Sequence, residues 1–185
     1  PSYTKAHYNL GNVLYDLERY DASIISYNEV IKLKSDYAEA HYNVGNAFNE
    51  LAEYEQAIHS YNKTVELRPD LIEAHNNRGA AFSELGDSEQ SINSFKRAIE
   101  LKPDYAESYN NLGIILKDLD RNFEAIAIFN KAIKVEPDYA EAYNNLGIIL
   151  SSLKAERFTQ RLAATYLEIL NFKSIVRPKN IVKPI

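Results

Sequence analysis

The sequence predicts an all-α solenoid of stacked helical hairpins. Three observations carry that reading: an internal period of 34 residues, an apolar stripe at helical spacing in each half of the period, and a proline that closes most units. Glycine marks the period most clearly. Gly11, Gly45, Gly79, Gly113 and Gly147 step by 34, and of the six glycines only Gly86 stands outside the series. Leu10, Val44, Leu112 and Leu146 keep the same step, with Arg78 as the exception in the third unit. Tyr27, Tyr61, Phe95 and Phe129 keep it further along, as do Pro69, Pro103 and Pro137, with Ser35 in the equivalent place of the first unit.

Each unit reads as two helices. Asp36, Asp70, Asp104 and Asp138 are each followed three residues later by Glu39, Glu73, Glu107 and Glu141, the spacing of a capping box, so the first helix is expected to open at the aspartate. Along it, His41, Val44, Phe48 and Leu51 form one apolar stripe, as do Tyr109, Leu112, Leu116 and Leu119. A glycine within that stripe costs about 1 kcal/mol of helix propensity relative to alanine, a cost usually offset by close approach of a neighbouring helix. The second helix carries Ala57, Ile58, Tyr61 and Val65, or Ala125, Ile126, Phe129, Ala132 and Ile133, and the proline ends it.

The period divides the chain into units 4–37, 38–71, 72–105 and 106–139, followed by the first helix of a fifth at 140–153. After Leu153 the pattern stops. Phe158, Leu162, Tyr166, Ile169 and Leu170 form an amphipathic stripe, so residues 154–174 are expected to fold as a divergent capping helix over the apolar end of the array. Residues 175–185 are apolar, basic and proline-containing, and are expected to form an extended tail or linker. Residues 1–3 match the ends of later units, 69–71 and 103–105, which implies a longer array of which this is a part.

Composition bounds the chemistry. The chain has 185 residues, 45% apolar and 25% charged, as folded proteins do, and no cysteine, which removes disulfides, thiolate nucleophiles and thiolate-bound zinc. No apolar run approaches the roughly 20 residues of a membrane span, and no signal peptide is recognisable, so a cytoplasmic protein without membrane partners is expected. The net charge of −5 is unevenly spread: residues 1–153 hold 14 Lys and Arg against 24 Asp and Glu, and residues 154–185 hold seven against two. An acidic body disfavours nucleic acid, which needs a clustered basic surface. His7, His41 and His75 fall one per unit, about 10 Å apart, too far to share a metal ion with ligands at about 2 Å, and packing is the expected role. Asn62, Lys63 and Thr64 form a glycosylation sequon, a weak signal. No phosphate loop, nucleophile elbow or supported carboxylate pair is recognisable, so no catalytic residue, cofactor or metal is expected, and the chain does not read as an enzyme.

The order of an aromatic-like residue, Leu-Gly, a small residue, an aromatic, alanine and proline at a 34-residue period resembles the tetratricopeptide repeat family over residues 4–153. The family's usual tryptophan position is held by His7, His41, His75, Tyr109 and Tyr143, and its small-residue position by Ser23 and Ser91 in two units. The resemblance implies a right-handed superhelix whose first helices line a concave face. That face is where recognition is expected. Asn9, Asn43, Asn77, Asn111 and Asn145 recur in every unit, although asparagine is a mediocre mid-helix residue. A carboxamide both donates and accepts, and so can pair with the backbone of an extended peptide without reading its sequence. At about 8–10 Å between helices and about 3.3 Å per extended residue, one rung meets every third ligand residue. This ladder resembles that of the protein O-linked N-acetylglucosamine transferases, where matching asparagines bind substrate backbone. The competing reading is that the amides bond neighbouring helices and hold the superhelix in shape.

Around the ladder the groove is expected to carry Tyr8, Tyr42, Asn12, Asn46, Asn76, Asn110 and Asn144, with Asp16, Glu50, Glu84 and Asp118 one turn further on as an acidic strip. The expected partner is therefore a protein or extended peptide, neutral or basic. Tetratricopeptide domains that clamp chaperone carboxylates use two asparagines with lysines and an arginine. Asn12 and Asn43 match the asparagines, but Tyr8, Glu73 and Asn77 hold the basic places, which disfavours that ligand. Two alternatives stand beside the interaction module: the substrate-selecting array of a larger glycosyltransferase or sulfotransferase, and a self-assembling scaffold. In the second, arrays stack end to end; separately, the basic tail with Arg177, Lys179 and Lys183 would lie in the acidic groove of a neighbouring copy.

Overall fold

The computed structural model describes the backbone of residues 2–175; within the last helix several side chains from Phe158 onward, and all of residues 176–185, lie outside the described residues. The stripe expected at Phe158, Leu162, Tyr166, Ile169 and Leu170 and the tail with Arg177, Lys179 and Lys183 fall there.

Among the described residues there are nine helices and no strand: α1 (Ser2–Asp16), α2 (Tyr20–Leu33), α3 (Ala38–Glu50), α4 (Tyr54–Leu67), α5 (Ile72–Glu84), α6 (Ser88–Leu101), α7 (Ala106–Asp118), α8 (Asn122–Val135) and α9 (Ala140–Ile175). Each helix packs on the next in sequence, and α3, α5, α7 and α9 also touch in succession, which makes the chain an α-solenoid with the odd-numbered helices side by side along one wall. The prolines keep their expected place: α4, α6 and α8 end two residues before Pro69, Pro103 and Pro137, and α2 ends at the same point ahead of Ser35.

The capping boxes do not form. Helices α3, α5 and α7 begin after Tyr37, Leu71 and Tyr105, none of which caps through its side chain, while Asp36, Asp70 and Asp104 lie in the preceding turns. The tight inter-unit turn delays helix entry by one residue, and the glutamates serve elsewhere: Glu39 pairs with Arg68 at 2.6 Å within its unit. A side-chain cap does occur at Asp87, which accepts from the backbone N–H of Gln90 at 3.1 Å to open α6. The hairpin turns repeat a left-handed residue at the 34-residue step, Glu18, Ala52, Gly86 and Asp120, with φ of 57°, 56°, 76° and 59°. Gly86, outside the main glycine series, is thus the residue suited to a position that its counterparts occupy at steric cost.

The glycine series answers the aromatic series. A Cβ at Gly11 would lie 2.5 Å from the Tyr27 ring; at Gly45, 2.6 Å from Tyr61; at Gly79, 2.8 Å from Phe95; and at Gly113, 2.6 Å from Phe129. Each ring is at most 1% exposed, so the glycine is a slot into which the aromatic of the paired helix is pressed. Gly147 meets nothing within 4 Å, because among the described residues no second helix follows to pack there.

That open slot follows from the largest departure from expectation. Residues 154–174, expected as a divergent capping helix, are not set off from the first helix of the fifth unit. Helix α9 continues unbroken from Ala140 to Ile175. Lys154 stands where the other units place their left-handed residue, and the run Leu153-Lys154-Ala155-Glu156-Arg157 consists of strong helix formers with nothing to stop the helix. Phe123 at the start of α8 is 76% exposed, next to the point where α9 leaves the body of the array.

Histidines at the tryptophan position have a shared job. His41 and His75 donate through Nε2 to the carbonyls of Ser35 and Pro69, both at 2.9 Å, and Tyr109 donates to the Pro103 carbonyl at 3.2 Å, each tying a first helix to the turn before it. His75 is 5% exposed and its Nδ1 has no partner. Burial, with Arg78 and Arg97 nearby, holds its pKa below the ordinary histidine value despite the bond to Pro69. Arg78, at the position of Leu10, is half-buried and donates to Ser94 Oγ at 3.3 Å and Asn62 Oδ1 at 3.1 Å, which occupies the sequon asparagine in this fold.

Two predictions follow from these contacts. Gly113→Ala should destabilise the array by about 1–3 kcal/mol through overpacking against Phe129, whereas Gly147→Ala should be neutral or stabilise by up to about 1 kcal/mol from propensity alone; urea unfolding of the two variants compares them directly. The His75 pKa is lowered in the fold, so the unfolded chain takes up the proton first. Stability is fully present above the unfolded value of about 6.5 and declines as pH falls through the folded one. Replacing it as His75→Tyr, the residue type at 109, should flatten the fall in melting temperature between pH 7 and pH 5.

Candidate functional site

The wall made by α1, α3, α5, α7 and α9 carries the asparagine series, and its hydrogen bonds divide it into two parts. In the first two steps the ladder amide is spent on the preceding unit. Asn43 Nδ2 donates to Tyr8 Oη at 3.2 Å and to Asn12 Oδ1 at 3.3 Å, and Asn77 Nδ2 repeats this with Tyr42 Oη at 3.0 Å and Asn46 Oδ1 at 3.1 Å. The same acceptors receive the hydroxyl of the second helix, Tyr27 to Asn12 and Tyr61 to Asn46, each at 2.8 Å. Burial pushes the Tyr27 hydroxyl up to about 12 and Tyr61 further, so both stay protonated donors.

In the later steps the network is rebuilt. Asn76 replaces Tyr8 and Tyr42, Ala80 and Ile114 replace Asn12 and Asn46, and Phe95 and Phe129 replace the tyrosines. Without a hydroxyl on the second helix, no acceptor is needed opposite it, and the positions change together. Asn111 Nδ2 then makes a single bond, to Asn76 Oδ1 at 3.4 Å, and Asn145 Nδ2 a single bond to Asn110 Oδ1 at 3.0 Å. Each keeps one N–H and its carbonyl oxygen for another partner. Asn43 and Asn77 keep only the carbonyl oxygen. Asn9 is exposed on the first rung.

Not every residue expected in the groove is available there. Asn76 is 1% exposed; its Nδ2 donates to Glu107 Oε1 at 2.8 Å, and its Oδ1 also accepts from Ser108 Oγ at 2.8 Å. Asn110 is 5% exposed. Both are structural amides, buried because they fill the space that Tyr8 and Tyr42 fill in earlier units. Tyr8 and Tyr42 are half-buried, and Asn144 is exposed. Asp16, Glu50, Glu84 and Asp118 are all exposed one turn beyond the ladder. Glu50 accepts weakly from Tyr15 at 3.4 Å and Asp118 pairs with Lys117 at 3.3 Å, whereas Asp16 and Glu84 have no ion-pair partner among the described residues.

Two cavities open on this wall. One of about 140 Å³ is lined by Asn12, Tyr15, Asp16, Tyr27, Asn43 and Asn46. The other, of about 170 Å³, uses the same six positions two units on, among them Ala80, Glu84, Phe95, Asn111 and Ile114, with Ile115 added. The second cavity was not anticipated from the sequence. The signal for it was present in the joint loss of Asn12-type and Tyr27-type residues after the second unit.

A solenoid of helical hairpins with a wall of amides and acids is the architecture of a repeat protein with a recognition surface. The chain belongs to the TPR repeat family, whose model matches residues 11–52, 45–86, 81–120 and 115–153. Among curated proteins none matches it in sequence. Solved structures with the same fold include MamA, with a TM-score of 0.76 and 22% identity over 96% of this chain and 97% of that one. Another is YrrB, described as a TPR protein with an unusual peptide-binding site, at 0.68 and 21% over 80% and 76%. The first TPR of Spaghetti (RPAP3), bound to the HSP90 peptide SRMEEVD, aligns at 0.61 and 25% over 63% and 93%. No helix among the described residues is long and apolar enough to cross a membrane.

The tyrosine network gives a stability prediction. Tyr61→Phe removes the donor to Asn46 and should cost about 1 kcal/mol, while Phe95→Tyr places a hydroxyl opposite Ala80 with no acceptor and should cost at least as much; equilibrium unfolding of both variants measures the pair.

Proposed function

We propose that the chain is a protein-interaction module that holds an extended, neutral or basic segment of another protein along the wall of its first helices. The observation that carries this reading is the alignment of Asn43, Asn77, Asn111 and Asn145 with polar atoms left unbonded at a spacing that matches an extended backbone. The bonds to preceding units also support the structural reading of the ladder, and the two roles coexist: one edge of each amide fixes the superhelix and the other faces the groove. Acidic residues at the rim set the sign of the partner. The peptide bound to the Spaghetti domain carries two glutamates and an aspartate, a ligand that Asp16, Glu50, Glu84 and Asp118 would repel. A role in binding agrees with the peptide-binding neighbours.

The test is an array of 12-residue peptides of mixed charge probed with wild type and with an Asn111→Ala, Asn145→Ala double variant. These two rungs make one internal bond each, so their loss should leave the fold intact. Basic and neutral peptides should be retained over acidic ones, and the double variant should bind about tenfold more weakly, as expected for one or two hydrogen bonds. Undiminished binding by the folded variant would sink the ladder.

A further inference from the structure

The two cavities occupy the same place in the fold, two units apart, and differ in a way that reads a ligand's side chains. Three positions keep their chemistry between them. Asn43 and Asn111 supply the ladder amide, Asp16 and Glu84 supply an exposed carboxylate without an ion-pair partner, and Tyr27 and Phe95 supply the buried aromatic floor. A fourth, Tyr15, becomes the shorter hydroxyl of Ser83, and the other two reverse: Asn12 and Asn46 become Ala80 and Ile114, while the floor gains Ile115, which is 5% exposed.

We propose that the cavity between α5 and α7 is an anchor pocket for an aliphatic or aromatic side chain with a lysine or arginine beside it, and that the cavity between α1 and α3 takes a polar side chain from the same segment. The inference rests on the groove-binding reading above and names the class of peptide it takes.

Size, polarity and backbone geometry agree on this occupant. A cavity of about 150 Å³ lined by apolar side chains holds a benzene-sized group, and the anchor pocket measures about 170 Å³. Ala80, Phe95, Ile114 and Ile115 make up most of its lining, with Ser83, Glu84 and Asn111 as its polar groups, so an apolar side chain finds more matching surface there than a polar one. Asn111 stands at its edge with one N–H and its carbonyl oxygen unbonded, the pair needed to clamp the backbone of the anchored residue at both its N–H and its C=O. Glu84 lines the same cavity, exposed and without an ion-pair partner among the described residues, and would meet the basic neighbour. In the other cavity Asn43 has spent both donors, and the lining of amides, hydroxyls and Asp16 suits a side chain that donates. Two units correspond to about 16–20 Å of groove, or five to six extended residues.

The experiment uses a positional-scanning library of capped decapeptides bound to the whole chain. Wild type should enrich Leu, Ile, Phe or Met next to Lys or Arg at one position, and Ser, Thr, Asn or Gln five or six residues away. The variant Ala80→Asn, Phe95→Tyr, Ile114→Asn carries the residues that the first cavity already accommodates, so it should fold, as melting temperature will check. It should lose the apolar preference at least tenfold while still retaining peptides. The single change Ile114→Asn, which leaves the ring floor intact, should show the same loss in part. Enrichment at wild type with no apolar position, or an apolar preference unchanged in the folded triple variant, overturns the anchor pocket and leaves groove binding standing. A wild type that retains no peptide overturns both.

Discussion

The contact between a bare glycine on one helix and an aromatic ring on the next sets the geometry of this array. Four times the ring of Tyr27, Tyr61, Phe95 or Phe129 lies where a Cβ would be, which fixes how closely the two helices of a hairpin approach. Once that approach is fixed, the odd-numbered helices must stand side by side, and a residue at one position per unit becomes a row. The ladder, the acidic strip and both cavities exist only because this spacing repeats.

The ring also decides what the groove can do, because its far edge reaches the groove wall. A tyrosine brings a hydroxyl that demands an acceptor, and Asn12 or Asn46 supplies it while drawing on the ladder amide of the next unit. A phenylalanine makes no such demand, and Ala80 or Ile114 is then free to be apolar. One oxygen atom at the core thus separates a polar cavity from a mostly apolar one, and releases a donor on Asn111 as it goes.

Much of the fold was legible in the sequence because its signals are periodic. The glycine step, the aromatic step and the proline step each recur often enough to cancel local noise, and all four complete hairpins lie where they place them. The errors fell where a single local pattern was trusted. Asp36 and Glu39 have the spacing of a capping box, yet the turn geometry between units places Tyr37 at the helix entry. The repeat pattern ends at Leu153, but the end of a pattern is not a helix stop, and α9 runs on. For the site, the rows were visible and their bonding was not: that Asn76 turns inward while Asn77 lines the wall depends on which neighbour fills the space, a fact of packing across units.

The open slot at Gly147 has a consequence for how the array comes apart. Neighbouring units stabilise one another only through their shared interfaces, and the step from the fourth unit to α9 has one ladder bond, Asn145 to Asn110, and no second helix to press a ring against the glycine. In a molecule held together pairwise, the weakest link sets where opening begins. Amide protons of α9 near Gly147 should therefore exchange through the lowest-energy opening of the array, while those of α3 and α5, clasped on both sides, report its global stability.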